Sequence, residues 1–124
     1  MEEVMRIVSE IEFRERIAQI IREVPSSCAW VTGPGRSGAV ASVYASHLLG
    51  IPFVPYGSFA AANLGRVLIV DTARESGATL RKAARKYKEH DPFVWVGFEE
   101  PPRVAFWYEA AKPQRFKHQT LLAA

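Results

Sequence analysis

The chain holds one cysteine, Cys28, in 124 residues. A lone thiol closes no internal disulfide and builds no cysteine-based metal site, so disulfide-scaffold folds and zinc-cysteine modules are excluded. Apolar stretches are broken by Arg, His, Pro or Gly well short of the roughly 20 residues a membrane-spanning helix needs. The N-terminus carries Glu2, Glu3 and Arg6 where a secretory leader would have a basic start and an apolar block, and a cytoplasmic protein is expected. No Lys or Arg occurs between Arg36 and Arg66. What remains is globular in balance: 48% hydrophobic and 23% charged residues, a net charge of +3, and a length suited to one domain. Such mild basicity fits a phosphorylated small molecule, and nucleic acid is not expected as a partner. Residues 1–111 read as the domain. Residues 112–124, with Lys112, Arg115, Lys117 and His118, read as a basic tail.

Punctuation along the chain sets the element order. After a short apolar run ending at Val8, Ser9 with Glu12 forms a capping-box signature. The helix it opens carries Ile11, Ile17, Ile20, Ile21 and Val24 at helical spacing and stops at Pro25. Cys28 to Thr32 reads as a buried strand and runs into the turn Gly33-Pro34-Gly35. Ala39 to Leu49 is an Ala-rich helix ended by Gly50. Ile51 to Val54 is a brief second strand, and Val67 to Val70 a strand buried on both faces. Thr79 to Tyr87 is another helix. Phe93 to Phe98 and Val104 to Tyr108 are the last strands. Alternation of this kind predicts an α/β domain with a mostly parallel sheet and helices on both faces. Such sheets bind ligands at the carboxyl ends of their strands.

The segment from Val67 to Leu80 carries the chemistry. A buried strand delivers Asp71 to the sheet edge, and Ser76-Gly77-Ala78-Thr79 then opens a helix. Orphan backbone N–H groups, two hydroxyls and the positive helix end make an anion site there. Gly77 permits close approach of the backbone, and Asp71 can accept hydrogen bonds from sugar hydroxyls. Gly33 to Gly38 also lies between a strand and a helix, with Arg36 adding a forked cation.

Asp71-Thr72-Ala73-Arg74-Glu75-Ser76-Gly77-Ala78-Thr79 resembles the phosphoribosyl pyrophosphate motif of type I phosphoribosyltransferases. The likeness extends through Ile7-Val8-Ser9, the stretch from Arg36 to Pro52, Phe93 to Pro101, and Phe106-Trp107-Tyr108-Glu109, and is nearest to the bacterial xanthine and guanine enzymes. It implies that domain's fold with a reduced hood over the base. The activity implied is transfer of a 5-phosphoribosyl group to a nucleobase, purine-type, with release of pyrophosphate, as in nucleotide salvage. By the resemblance Asp71 and Thr72 hold the ribose, Ser76 to Thr79 the 5′-phosphate, and Arg36, Ser37 and Gly38 the pyrophosphate. Glu75 and Asp71 are the catalytic residues, Glu75 taking the acceptor proton. Mg²⁺ is the expected cofactor, with Asp71 as an indirect ligand. Glu100 with Phe106 or Trp107 lines the base pocket, only one of the two aromatics facing it. A homodimer is implied.

Three positions depart from the family pattern. Thr72 stands where most members carry a second acid, Ser37 replaces a glycine, and Glu100 replaces a lysine that contacts the purine's 6-oxo oxygen. With the short segment Pro55 to Gly65 in place of a long mobile loop, these leave a second reading open. In it, the chain binds a nucleoside 5′-monophosphate or phosphoribosyl group without turnover.

Overall fold

Parallel strand pairing organises the chain. The computed structural model describes residues 6–58, 64–73, 77–98 and 104–109. Strand β2 (Cys28–Thr32) pairs with β3 (Arg66–Ala73), and β3 with β4 (Phe93–Phe98), all parallel, in the order β2-β3-β4. Strands β1 (Arg6–Val8) and β5 (Val104–Phe106) form a separate parallel pair with Ile7 opposite Ala105. Between them in sequence lie helices α1 (Glu10–Ala18), α2 (Ile20–Glu23), α3 (Gly35–Leu49) and α4 (Ala78–Lys86).

Two apolar layers flank the sheet, and β3 feeds both. Leu68 and Val70 join Phe13, Ile17, Ile20, Ala41 and Ala45 under α1–α3. Val67 and Ile69, turned the other way by strand alternation, join Trp30, Leu80, Ala83 and Tyr87 under α4. The expected α/β layering with helices on both faces is therefore present. On α3 the inward residues are Gly38, Ala41, Ser42 and Ala45, small enough to let the helix axis approach the sheet closely.

Several boundaries differ from those the residues suggested. The expected second strand at Ile51–Val54 is reduced to a single bridge, Val31 opposite Phe53. Pro52 can accept at its carbonyl, from Val31 N–H at 2.9 Å, but has no N–H to give, and Pro55 stops any continuation. The Ser9-capped helix divides at Gln19, whose N–H bonds back to Arg16 O in a tighter turn. Ile17 and Ile20 are buried as expected, with Phe13 beside them. Ile11 and Ile21 instead face outward, 61% and 56% exposed. Helix α3 starts at Gly35, not Ala39, so Arg36, Ser37 and Gly38 form its first turn and not a loop. Strand β3 runs on to Ala73 because β4 continues alongside it to Phe98. The last strand stops at Phe106, and Trp107–Glu109 curls into a 3₁₀ turn.

Glu75, Ser76, Glu100 and the tail 112–124, all singled out above, lie outside the described residues. Among the described residues no helix is long and apolar enough to cross a membrane.

Candidate functional site

Strand β2 ends at Thr32, opposite Ile69, while its neighbour β3 runs on to Ala73, and each strand leads toward a helix. Both helices begin without a side-chain cap. Pro34 precedes α3 and Gly77 precedes α4, and neither makes a side-chain bond to a first-turn amide. Helix α1 contrasts with them, because Ser9 Oγ accepts from Glu12 N–H at 3.2 Å there. The N-cap residues of these two helices therefore offer no side-chain acceptor to the first turn, as is also the case at α2. Gly77 sits at φ 82°, a left-handed conformation that a side chain would strain. Ala78 and Thr79 follow it, exposed, and Arg81 N–H closes the first turn onto Gly77 O at 2.9 Å.

Asp71 lies within β3, opposite Val96, on the face shared by Val67 and Ile69 toward α4. It is not beyond the strand end, as the residue pattern had placed it. Burial lifts its carboxyl from an ordinary 3.8 to about 6, while the Thr72 N–H donated to Oδ1 at 2.8 Å pulls the other way. Desolvation wins because one amide cannot replace the water lost from both oxygens. Thr72 itself is buried, so its contribution at Asp71 is this backbone N–H.

At the start of α3 the backbone is tight. A Cβ on Gly33 would fall 2.6 Å from Ser42 Oγ and closer still to the carbonyl oxygens of Val70 and Gly38. Gly33 is fixed as glycine by this approach of α3 to β3. Ser42 Oγ donates to Gly38 O at 2.7 Å, and Gly38 N–H bonds to Pro34 O at 3.2 Å. Gly38 is therefore occupied within the helix, whereas Gly35 and Arg36 are exposed at its tip.

The aromatic segment divides by burial. Phe106 is 2% exposed, with Phe13, Phe98 and Tyr108 against its ring. Its faces are taken by the core. Trp107 is half-buried against Phe13 and Tyr108, which leaves it more accessible of the two. Tyr108 lies parallel to Phe106 at 5.6 Å and donates its hydroxyl to Ser37 Oγ at 3.0 Å. The segment on the base side of the expected site is in this way fastened to the first turn of α3.

Thr32 gave no signal in the sequence, where a β-branched residue ending an apolar strand reads as filler. Its side chain is fully buried and its Oγ1 has no hydrogen-bond partner among the described residues. By alternation it shares the α4 face with Trp30 and Asp71. A buried hydroxyl and a part-buried, desolvated carboxyl thus stand on neighbouring strands, facing the same side of the sheet.

Among the described residues no group of three His, Cys, Asp or Glu could hold a metal ion. Asp71 is the carboxylate that β3 carries. A Mg²⁺ held through one carboxylate and substrate phosphates suits that inventory; an all-protein cage does not.

Comparison with solved structures places this architecture. A Helicobacter pylori xanthine-guanine-hypoxanthine phosphoribosyltransferase matches with a TM-score of 0.67 at 12% identity, covering 99% of this chain and 100% of that one. A Neisseria gonorrhoeae hypothetical protein with bound ppGpp matches at 0.60 and 13% identity over 99% and 100% of the two chains. A hypoxanthine-guanine phosphoribosyltransferase from Bacillus anthracis matches at 0.55 and 16% identity over 82% and 85%. No family model and no curated protein sequence matches. The chain has the type I phosphoribosyltransferase fold.

Proposed function

We propose that this protein transfers a 5-phosphoribosyl group from phosphoribosyl pyrophosphate to a nucleobase, purine-type, and releases pyrophosphate. The observation that carries the reading is the pair of helix starts, α3 and α4, that follow the paired strands β2 and β3, with the part-buried Asp71 in β3. Two anionic groups on one sugar need two such cradles. The fold likeness to purine phosphoribosyltransferases supports it.

In this reading Gly77, Ala78 and Thr79, with Ser76, hold the 5′-phosphate. The tip of α3 at Arg36 and Ser37 faces the pyrophosphate, with Gly38 shaping the turn. Asp71 accepts from ribose hydroxyls, aided by the Thr72 amide that orients its carboxylate. The bond from ribose C1 to the pyrophosphate oxygen breaks with its electron pair leaving on pyrophosphate, and a base nitrogen forms the new bond to C1. The proton from that nitrogen passes to Glu75. Mg²⁺, when bound, offsets the charge developing on pyrophosphate. Trp107 takes the base-stacking role, since the faces of Phe106 are occupied, and Glu100 borders the base. The protein acts as a homodimer in the cytoplasm.

A second reading is a nucleotide-binding module without turnover. The bond from Tyr108 to Ser37 favours it, because it engages a hydroxyl that pyrophosphate would need. The neighbour from Neisseria gonorrhoeae with bound ppGpp fits a nucleotide-holding role for this fold. Incubation with phosphoribosyl pyrophosphate, Mg²⁺ and a panel of purine and pyrimidine bases separates the readings. Pyrophosphate release with one base supports transfer. Silence with all, alongside binding of a nucleoside 5′-monophosphate, supports the module.

A further inference from the structure

We infer that the outer face of α4 is a docking surface for a nucleic-acid phosphate backbone, bound without regard to base sequence. Arg81, Lys82, Arg85, Lys86 and Lys88 place five cations in the nine residues 81–89, against one acid, Glu89. All five are exposed. The inward face of the helix is spent on Leu80, Ala83 and Tyr87, which pack on the sheet. On α4 Arg81 with Arg85 and Lys82 with Lys86 form two adjoining stripes at i, i+4, and Lys88 follows in the 3₁₀ turn Lys88–His90.

Like charges at i, i+4 destabilise a helix, and here two such pairs coincide, Arg81 with Arg85 and Lys82 with Lys86. A face serving only solubility would interleave acids, as mixed surfaces do. Among the described residues none of Lys82, Arg85, Lys86 or Lys88 lies in an ion pair; the salt bridge at this end of the sheet is Arg66 with Asp91 at 3.4 Å. Lys86 is held over the Tyr56 ring at 5.8 Å, which directs its stem without neutralising its charge.

The charge spacing selects the partner. Helix rise spreads the four cations of α4, Arg81 to Lys86, over about 8 Å, or one per about 2 Å. Duplex nucleic acid carries one negative charge per about 1.7 Å of axis. A membrane-binding helix would need an apolar face for the bilayer, and α4 has buried its own against β3 and β4. Sequence reading is not expected, because the helix is half embedded and cannot enter a groove. This departs from the expectation drawn from net charge, which averages the stripe with the acidic N-terminal segment. The inference does not depend on the proposed reaction.

Fluorescence anisotropy with labelled DNA and RNA duplexes of about 20 base pairs, in two unrelated sequences, tests it. The full chain should bind each with micromolar affinity at about 50 mM salt and lose roughly 100-fold by about 200 mM, the slope that four phosphate contacts give. The variant Lys82→Gln, Arg85→Gln, Lys86→Gln, Lys88→Gln should keep its circular dichroism and melting temperature and bind at least about tenfold more weakly. Lys112→Gln, Arg115→Gln, Lys117→Gln should bind as the parent does. Three results overturn the inference: no binding by the parent, equal binding by the α4 variant, or loss confined to the tail variant. Binding to polyglutamate or to anionic phosphatidylserine vesicles as tight as to the duplexes also overturns it, in favour of an acidic protein or a lipid surface.

Discussion

Tyr108 and Ser37, 71 positions apart in sequence, share a hydrogen bond of 3.0 Å in which the phenol donates to Ser37 Oγ. The bond ties the 3₁₀ turn after β5 to the first turn of α3. Tyr108→Phe removes the donor and keeps the ring stacked on Phe106. It should cost about 1 kcal/mol, read by urea denaturation, and Ser37→Ala should cost a similar amount. Combining the two should add little, since each removes the same bond. Additive losses would show that the pair is not coupled.

Asp71 sets a pH signature. Its carboxyl is lifted to about 6 from an ordinary 3.8, so the folded chain holds that proton more tightly than the unfolded chain does. Stability therefore falls as pH rises through the window between those two values, and the cost is fully present above it. It amounts to about 3 kcal/mol at neutral pH. Asp71→Asn keeps an oxygen for the Thr72 amide and removes the charge. It should raise stability at pH 7 by about 1 to 3 kcal/mol and flatten the acid-side slope. Denaturant midpoints measured across the window check this, and a variant less stable at neutral pH would contradict it.

Thr32 offers a test of the unpartnered hydroxyl. Thr32→Val preserves shape and deletes an oxygen that no described residue satisfies. A gain of about 1 to 2 kcal/mol in thermal or urea unfolding is expected. Destabilisation would mean that the hydroxyl has a bonding partner in solution.

Gly33→Ala should be among the most damaging single changes outside the apolar core. The added methyl meets two backbone carbonyls and the Ser42 hydroxyl, and backbone on both sides leaves little room to yield. A loss of about 3 kcal/mol or more is expected, measured as a fall in denaturation midpoint. Near-parental stability would show that α3 can draw away from β3.

Much of the layering was legible because its signals are local. The β-branched run at Val67–Val70 announced a strand buried on both faces, Ser9 announced a helix start, and Gly50 a helix end at φ 67°. The missed features depend on partners distant in sequence. Whether Ile11 or Phe13 turns inward is decided by Tyr44, Phe98 and Phe106, which meet Phe13 from three other elements. The reach of β3 past Val70 is set by β4, and the small loop expected at Arg36 to Gly38 became helix once Gly33 packed against Val70. At the site, Asp71 was visible from its place after a strand, but its burial was not. Thr32 was invisible, since nothing local distinguishes a satisfied buried hydroxyl from an orphaned one.

In the proposed function a sugar phosphate is held where α4 begins, with Asp71 in the strand that precedes it. Isothermal titration calorimetry of a nucleoside 5′-monophosphate against the parent and Gly77→Glu decides this. Binding by the parent and its loss in the variant are expected, since Gly77→Glu places a carboxylate at the anion cradle while costing the fold only about 1 to 2 kcal/mol. Equal affinity in the two proteins would contradict it.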